Sequence, residues 1–191
     1  MRWEILGKET LYEGFFRLER VHLKHARFAG GEITVAREHL ERGDAVGVVL
    51  HDPRADEVLL IEQFRVGPAV RGEHPWLVEI VAGVIDPGET PEACARRECL
   101  EEAGYAPEKL VPLGTVYATP GGSSERFFFF LAQVDKRSRR HEGGGVDHEG
   151  EDIRSFWVPK AEAIAWVYSG RIRSALPALG LLLAFGGHPS R

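Results

Sequence analysis

Between Gly83 and Gly104 the chain reads GVIDPGETPEACARRECLEEAG, a segment whose ends are set by local chemistry and whose middle is crowded with like charge. Thr90 suits a helix N-cap, and Pro91 suits the first helical position, where an amide hydrogen would have no partner anyway. Glu92 places negative charge at the positive end of the helix, and Gly104 supplies the stop. Residues three and four apart are neighbours on such a helix, so Glu98 faces both Glu101 and Glu102, at a cost of roughly 0.2–0.5 kcal/mol per like pair. Two explanations fit. Arg97 lies four residues before Glu101 and can pair with it, leaving a solvated acidic face. Alternatively Glu98 and Glu102, one turn apart, present their oxygens to a single hard divalent cation.

The rest of the composition narrows the classes of chain this helix can sit in. At 191 residues, 43% hydrophobic and 28% charged, the sequence has the usage of a globular protein with one main domain and room for a small appendage. A formal charge of −5 disfavours sequence-independent nucleic-acid binding, which needs a basic stripe to neutralise phosphates. No run approaches eighteen apolar residues, and MRWEILGKETLYEG lacks the basic start and apolar run of a secretory signal, so no membrane partner is expected and the expected location is the cytoplasm. The two cysteines, Cys94 and Cys99, fall about 140° apart around one helix and cannot pair, which suits a reducing compartment.

Alternation of apolar and charged residues marks strands in FFRLERVHLKHARF and, after a Gly30-Gly31 turn, in GGEITVAREHL. AVGVVLHD and EVLLIEQFR read as a hairpin joined at PRAD. WLVEIVAG reads as one further strand, and the loop before it holds Pro68, Gly72 and Pro75. FFFFLAQV and IRSFWVP are strands on either side of a polar, glycine-rich loop, and KAEAIAWVYSG and SALPALGLLLAFG close the chain as helices. Strands, a helix, more strands and more helices make a mixed α/β fold, not a regular βαβ series.

The pattern Gly83, five residues, Glu89, seven residues, Arg97-Glu98, then Glu101-Glu102 and Gly104 resembles the signature of the Nudix hydrolases at every fixed position. Cys99 and Tyr105 occupy two slots where aliphatic residues are usual. The resemblance implies a Nudix-type α/β/α sandwich, with residues 1–44 an N-terminal antiparallel β-sheet portion for dimerisation and base contacts, and 45–191 the catalytic domain. It implies a divalent cation, Mg2+ with Mn2+ or another as alternatives, ligated by Glu98, Glu102 and the backbone carbonyl of Ala82. Glu101 assists, Arg97 orients the carboxylates, and Glu89 reaches back as an outer partner.

TLYEGFF, REHLERGDAV, VLLIEQFR, PWLVEIVAG, TPGGSSER and EGEDIR, with Pro120 fifteen residues beyond Tyr105, resemble the bacterial ADP-ribose pyrophosphatases within that family. This implies hydrolysis of a small nucleoside diphosphate sugar, ADP-ribose, to AMP and ribose 5-phosphate. The base is then Glu149, with Glu151 as metal ligand or alternate base. Gly143 to Gly145 let their loop close over substrate. The same resemblance implies that Arg65 contacts the phosphates and that Glu125 lies near the ribose. It further implies that Phe15 and Arg37 hold the adenine from the partner subunit of a homodimer. GGGVDHEGEDI, where His148 adds a titratable group, also resembles the loop of GDP-mannose pyrophosphatases, so GDP-mannose or a broad set of nucleotide sugars is the alternative substrate. A silent ADP-ribose-sensing module is disfavoured because every glutamate of the signature is present.

Overall fold

The structure, a computed structural model, describes residues 1–146 and 150–186. The chain forms two compact units, one of residues 1–44 with 117–126 and one of residues 45–116 with 127–191. The segment 117–126, which the sequence leaves in its second region, thus belongs with the first unit.

The first unit is an antiparallel meander of β1 (Trp3–Glu13), β2 (Arg17–Ala26) and β3 (Glu32–Glu41), in that order. The β2–β3 turn uses Gly30 and Gly31 at φ of 87° and 76°, where a side chain would be strained. β1 is an addition to the strands marked by alternation, since WEILGKETLYE mixes polar and apolar residues on both faces. Glu19 is buried on β2 and stays charged against Lys8 Nζ at 3.0 Å, Arg17 Nε at 3.3 Å and His39 Nδ1 at 3.2 Å. The bond from Lys8 is the largest cause holding its carboxyl below the usual range.

The second unit is a layered sandwich. Its sheet runs in the order β10 (Arg154–Pro159), β5 (Glu57–Phe64), β4 (Ala45–Asp52), β9 (Arg126–Gln133), β8 (Leu110–Tyr117). β4 pairs parallel with β9 and antiparallel with β5, so the sheet is mixed. All eight residues of β4 are buried, which accounts for the unbroken apolar run AVGVVL. The stretch WLVEIVAG forms two strands, not one. β6 (Trp76–Glu79) pairs with β5, β7 (Val81–Val84) pairs with β4, and Ile80 sits fully buried at the change of partner. The preceding loop contains the five-residue helix α1 (Val66–Val70).

Period-two alternation sends side chains to two cores. Val46, Val48, Leu50, Leu59 and Ile61 pack with Val81 under helix α2 (Pro91–Ala103). Val49, Val58, Leu60, Ile80 and Phe129 pack on the other face beneath α3 (Lys160–Ser169) and α4 (Ala175–Phe185). This is the expected α/β/α layering. Among the described residues no helix is long and apolar enough to cross a membrane.

Candidate active site

The site is built on α2 and on β7 beside it. Thr90 Oγ1 accepts from Ala93 N at 3.2 Å, Pro91 opens the helix, and Gly104 ends it at φ 75°. Any side chain at Gly104 would meet the carbonyl of His141, so the stop is also a close approach. The face of α2 turned to the core carries Cys94, Ala95, Cys99 and Ala103, all fully buried. These side chains are small, so the helix lies close to the sheet, and the neighbouring positions Glu98 and Glu102 are drawn in with it. Glu98 is 8% exposed and Glu102 only 1%. The two thiols are free, and burial pushes the Cys94 thiol up to about 12, making it a packing group and not a nucleophile.

The crowding seen in the sequence is therefore an inward-facing cluster. Arg97 is its organiser. Its Nη1 donates to Glu98 Oε1 at 2.6 Å and to Glu101 Oε2 at 2.9 Å. Its Nε and Nη2 bind the two oxygens of Glu89 at 3.1 and 3.2 Å, and Nη2 also reaches the carbonyl of Val84 at 3.2 Å. Glu89 accepts in addition from the Asp86 amide, and the bond from Arg97 keeps its carboxyl below the ordinary value. The pairing of Arg97 with Glu101 expected from their spacing is thus present, and Glu89, expected only to reach back towards the helix, does so by binding Arg97.

Glu102 Oε2 accepts from the backbone N–H of Ala82 on β7 at 3.0 Å. A Cβ on Gly83 would lie 1.8 Å from Glu98 Oε1, so the glycine is the floor on which that carboxylate rests. Burial, the largest cause, raises Glu98 to about 7, against the pull of Arg97 and with the charges of Glu101 and Glu151 adding to the rise. Burial likewise pushes Glu102 well above the carboxylate range, and the charges of Glu98 and Glu151 push the same way. Glu151 is therefore in electrostatic reach of both. Its Oε2 accepts from the Val146 amide at 3.1 Å.

The glycine run that leads to Glu151 has a role beyond the loop closure expected of it. Gly143, Gly144 and Gly145 all adopt positive φ, and the amides of Gly144 and Gly145 donate to the carbonyls of Glu102 and Glu101 at 3.1 and 3.2 Å. They satisfy the C-terminal carbonyls of α2 and bring Glu151 to the cluster. Glu149 and His148 lie outside the described residues.

Arg65, at the end of β5, is held by Glu79 on β6, with Nε and Nη2 both donating to Glu79 Oε2 at 3.0 and 2.7 Å. Its positive charge eases the ionisation of Glu102. Glu79 is not among the residues expected from the sequence, where its one signal is a lone acid within the apolar run WLVEIVAG. The remaining expected residues are in the first unit. Phe15 is 85% exposed and meets Phe16 edge-on at 4.9 Å, and Arg37 is exposed on β3. Glu125 is buried and paired with Arg42 Nε at 3.3 Å, and burial raises its carboxyl above the usual value.

Chemically, Glu98, Glu101, Glu102 and Glu151 offer only hard oxygen donors, with Arg97 and Arg65 as the cations that face them. Two of these carboxylates, Glu98 and Glu102, resist ionisation chiefly because they are buried, and the neighbouring acids add to the rise. That donor set fits a divalent cation such as magnesium. Among the described residues no three acidic, histidine or cysteine side chains surround one point, and two of the four acids, Glu98 and Glu101, are bonded to Arg97.

The model of the NUDIX domain matches residues 41–178. An ADP-ribose pyrophosphatase of Haemophilus influenzae is 43% identical over 184 residues, covering 93% of this chain and 83% of that protein. A GDP-mannose pyrophosphatase of Pectobacterium atrosepticum is 38% identical over 171 residues, covering 89% of this chain and 87% of that protein. A solved structure of an ADP compounds hydrolase, 24% identical, superposes with a TM-score of 0.73 over 96% of this chain and 92% of that one, which speaks to the fold.

Proposed function

The chain belongs to the Nudix hydrolase family, and from that membership we propose that it cleaves the pyrophosphate of ADP-ribose to give AMP and ribose 5-phosphate, using magnesium or manganese. The observation that carries the reading is the inward burial of Glu98 and Glu102 on one face of α2, within electrostatic reach of Glu151 and, for Glu98, of Glu101. A cluster of carboxylates that cannot all ionise alone is suited to charge compensation by a hard cation, and Nudix hydrolases generally use one.

When bound, the cation supplies Lewis-acid stabilisation of the pyrophosphate charge and acidifies water. Glu98, Glu102 and the Ala82 carbonyl would hold it, with Glu151 as a further ligand. Arg97 restrains Glu98, Glu101 and Glu89 through four bonds, and Glu98 would turn from it towards the cation when the cation binds. Arg65 presents its guanidinium fork to a phosphate. Glu149 takes the proton of the attacking water, with Glu151 the alternate base. Phe15 and Arg37 hold the adenine across a homodimer, and Glu125 lies by the ribose. The pairing is supported by large apolar side chains that the first unit exposes, among them Trp3, Tyr12 and Phe28 at 72, 61 and 95%. The two buried free thiols suit work in the cytoplasm.

The relatives named for GDP-mannose favour a second substrate. Initial rates of nucleoside monophosphate release from ADP-ribose, ADP-glucose, GDP-mannose and NADH, each with magnesium, separate the two. A higher kcat/KM on ADP-ribose is expected; a higher value on GDP-mannose would move the assignment to that group.

A further inference from the structure

Glu79 is a buried carboxylate that takes no part in the acidic cluster of α2, and its bonding is one-sided in an informative way. Oε2 accepts both Nε and Nη2 of Arg65, while Oε1 accepts the hydroxyl of Ser174 at 2.8 Å. Ser174 is the N-cap residue of α4, where a serine hydroxyl ordinarily accepts an amide of the first turn, as Thr90 does on α2. Here it makes no capping bond and turns to Glu79 instead. The adjacent Arg173 secures the same region from outside. Its Nη1 pairs with Glu73 at 3.1 Å, and its Nη2 donates to the carbonyl of His74 at 2.6 Å. The amide of Arg65 itself donates to Pro75 at 2.8 Å.

The turn entering α4 therefore grips the segment between β5 and β6 at two points and fixes the fork of Arg65 through one carboxylate. We propose that Glu79 and Ser174 are positioning residues that hold Arg65 in the orientation that receives a substrate phosphate. This rests on the reading of Arg65 as the phosphate contact. Two donors on one oxygen lock the guanidinium plane, so ordering of a long side chain is completed before substrate arrives and affinity benefits without any contact from Glu79 or Ser174 to substrate. The guanidinium remains available, since the Arg65 side chain is 43% exposed while that of Glu79 is 8%.

The test uses the full chain, with steady-state kinetics on ADP-ribose and magnesium and calorimetric binding of ADP-ribose without metal. Loss of the single hydroxyl bond in Ser174→Ala is expected to raise KM and Kd about fivefold with kcat within about twofold, and Ser174→Thr is expected to restore both. Glu79→Gln is expected to raise them roughly tenfold or more. Combined with Arg65→Ala, neither substitution should add to the loss of Arg65→Ala alone, because both act through that side chain. Additive losses, or a fall in kcat at constant KM, would overturn the proposal. Should Arg65→Ala weaken binding while Glu79→Gln and Ser174→Ala do not, the positioning role fails alone. An Arg65→Ala protein with unaltered KM and Kd would sink the phosphate contact and the positioning role together. Unfolding midpoints of the variants show whether each is folded, and Ser174→Ala, which changes one oxygen on a half-buried turn, carries the test if Glu79→Gln is not.

Discussion

Replacing Glu98 by glutamine isolates the electrostatic strain of the cation-free cluster. The amide keeps the side-chain shape and an oxygen for Arg97 Nη1, and it removes the ionisable group. In the folded protein burial moves this carboxyl from the ordinary 4.5 to about 7. The folded state therefore keeps its proton where the unfolded chain has lost it, and stability falls as pH rises from 4.5 to 7, with the penalty complete above 7. A displacement of that size corresponds to about 3 kcal/mol at full ionisation, of which most develops between pH 5 and pH 8. The folded state of Glu98→Gln escapes this penalty. Urea unfolding of the metal-free proteins should show the variant gaining about 2–3 kcal/mol on the wild type between pH 5 and pH 8, while magnesium-dependent turnover is lost. Equal stability differences at the two pH values would refute the claim that Glu98 is ionised against its surroundings, and retained turnover would remove it from the metal set.

Three further outcomes follow from the same geometry. Gly83→Ala places a methyl group 1.8 Å from Glu98 Oε1, so the carboxylate must swing away; kcat/KM should fall on the order of a hundredfold with circular dichroism unchanged, and normal kinetics would show that Glu98 need not rest there. Thr90→Ala removes the cap bond to Ala93 and should lower stability by about 1 kcal/mol, read as a fall of about 2–4 °C in Tm, and an unchanged Tm would mean that the cap is dispensable. Exhaustive chelation should abolish monophosphate release and added magnesium restore it, whereas activity that survives chelation would contradict a cation-dependent site.

What was legible in the sequence was what local chemistry decides. Thr90, Pro91 and Gly104 bracket α2 because capping and left-handed stops depend on residues within a turn of one another. Arg97 finds Glu101 four residues on and Glu89 eight back, distances that a helix and its entry loop set directly. AVGVVL and EVLLIEQF are strands because period-two burial on both faces leaves little else for such runs to do. The features that were not legible depend on partners far along the chain. Nothing in WLVEIVAG says that it changes partner at Ile80, because β4 and β5 diverge only in three dimensions. The tie between Glu79 and Ser174 spans 95 residues, and a serine at a helix start reads as a cap until its hydroxyl is seen pointing elsewhere. Gly143 to Gly145 likewise read as loop freedom, although their positive φ values serve to bring amides onto the end of α2. The inward burial of Glu98 and Glu102 is of the same kind. A sequence shows that the acids are neighbours, whereas the small residues Cys94, Ala95, Cys99 and Ala103 decide how closely they approach the sheet.

The buried acids of α2 are the proposed seat of a divalent cation. Titration of manganese into the wild type and into Glu102→Gln, followed by the electron paramagnetic resonance signal of the free ion, tests it most directly. Uptake by the wild type and its loss in a folded Glu102→Gln protein is the predicted result. Undiminished uptake by that variant would contradict the account.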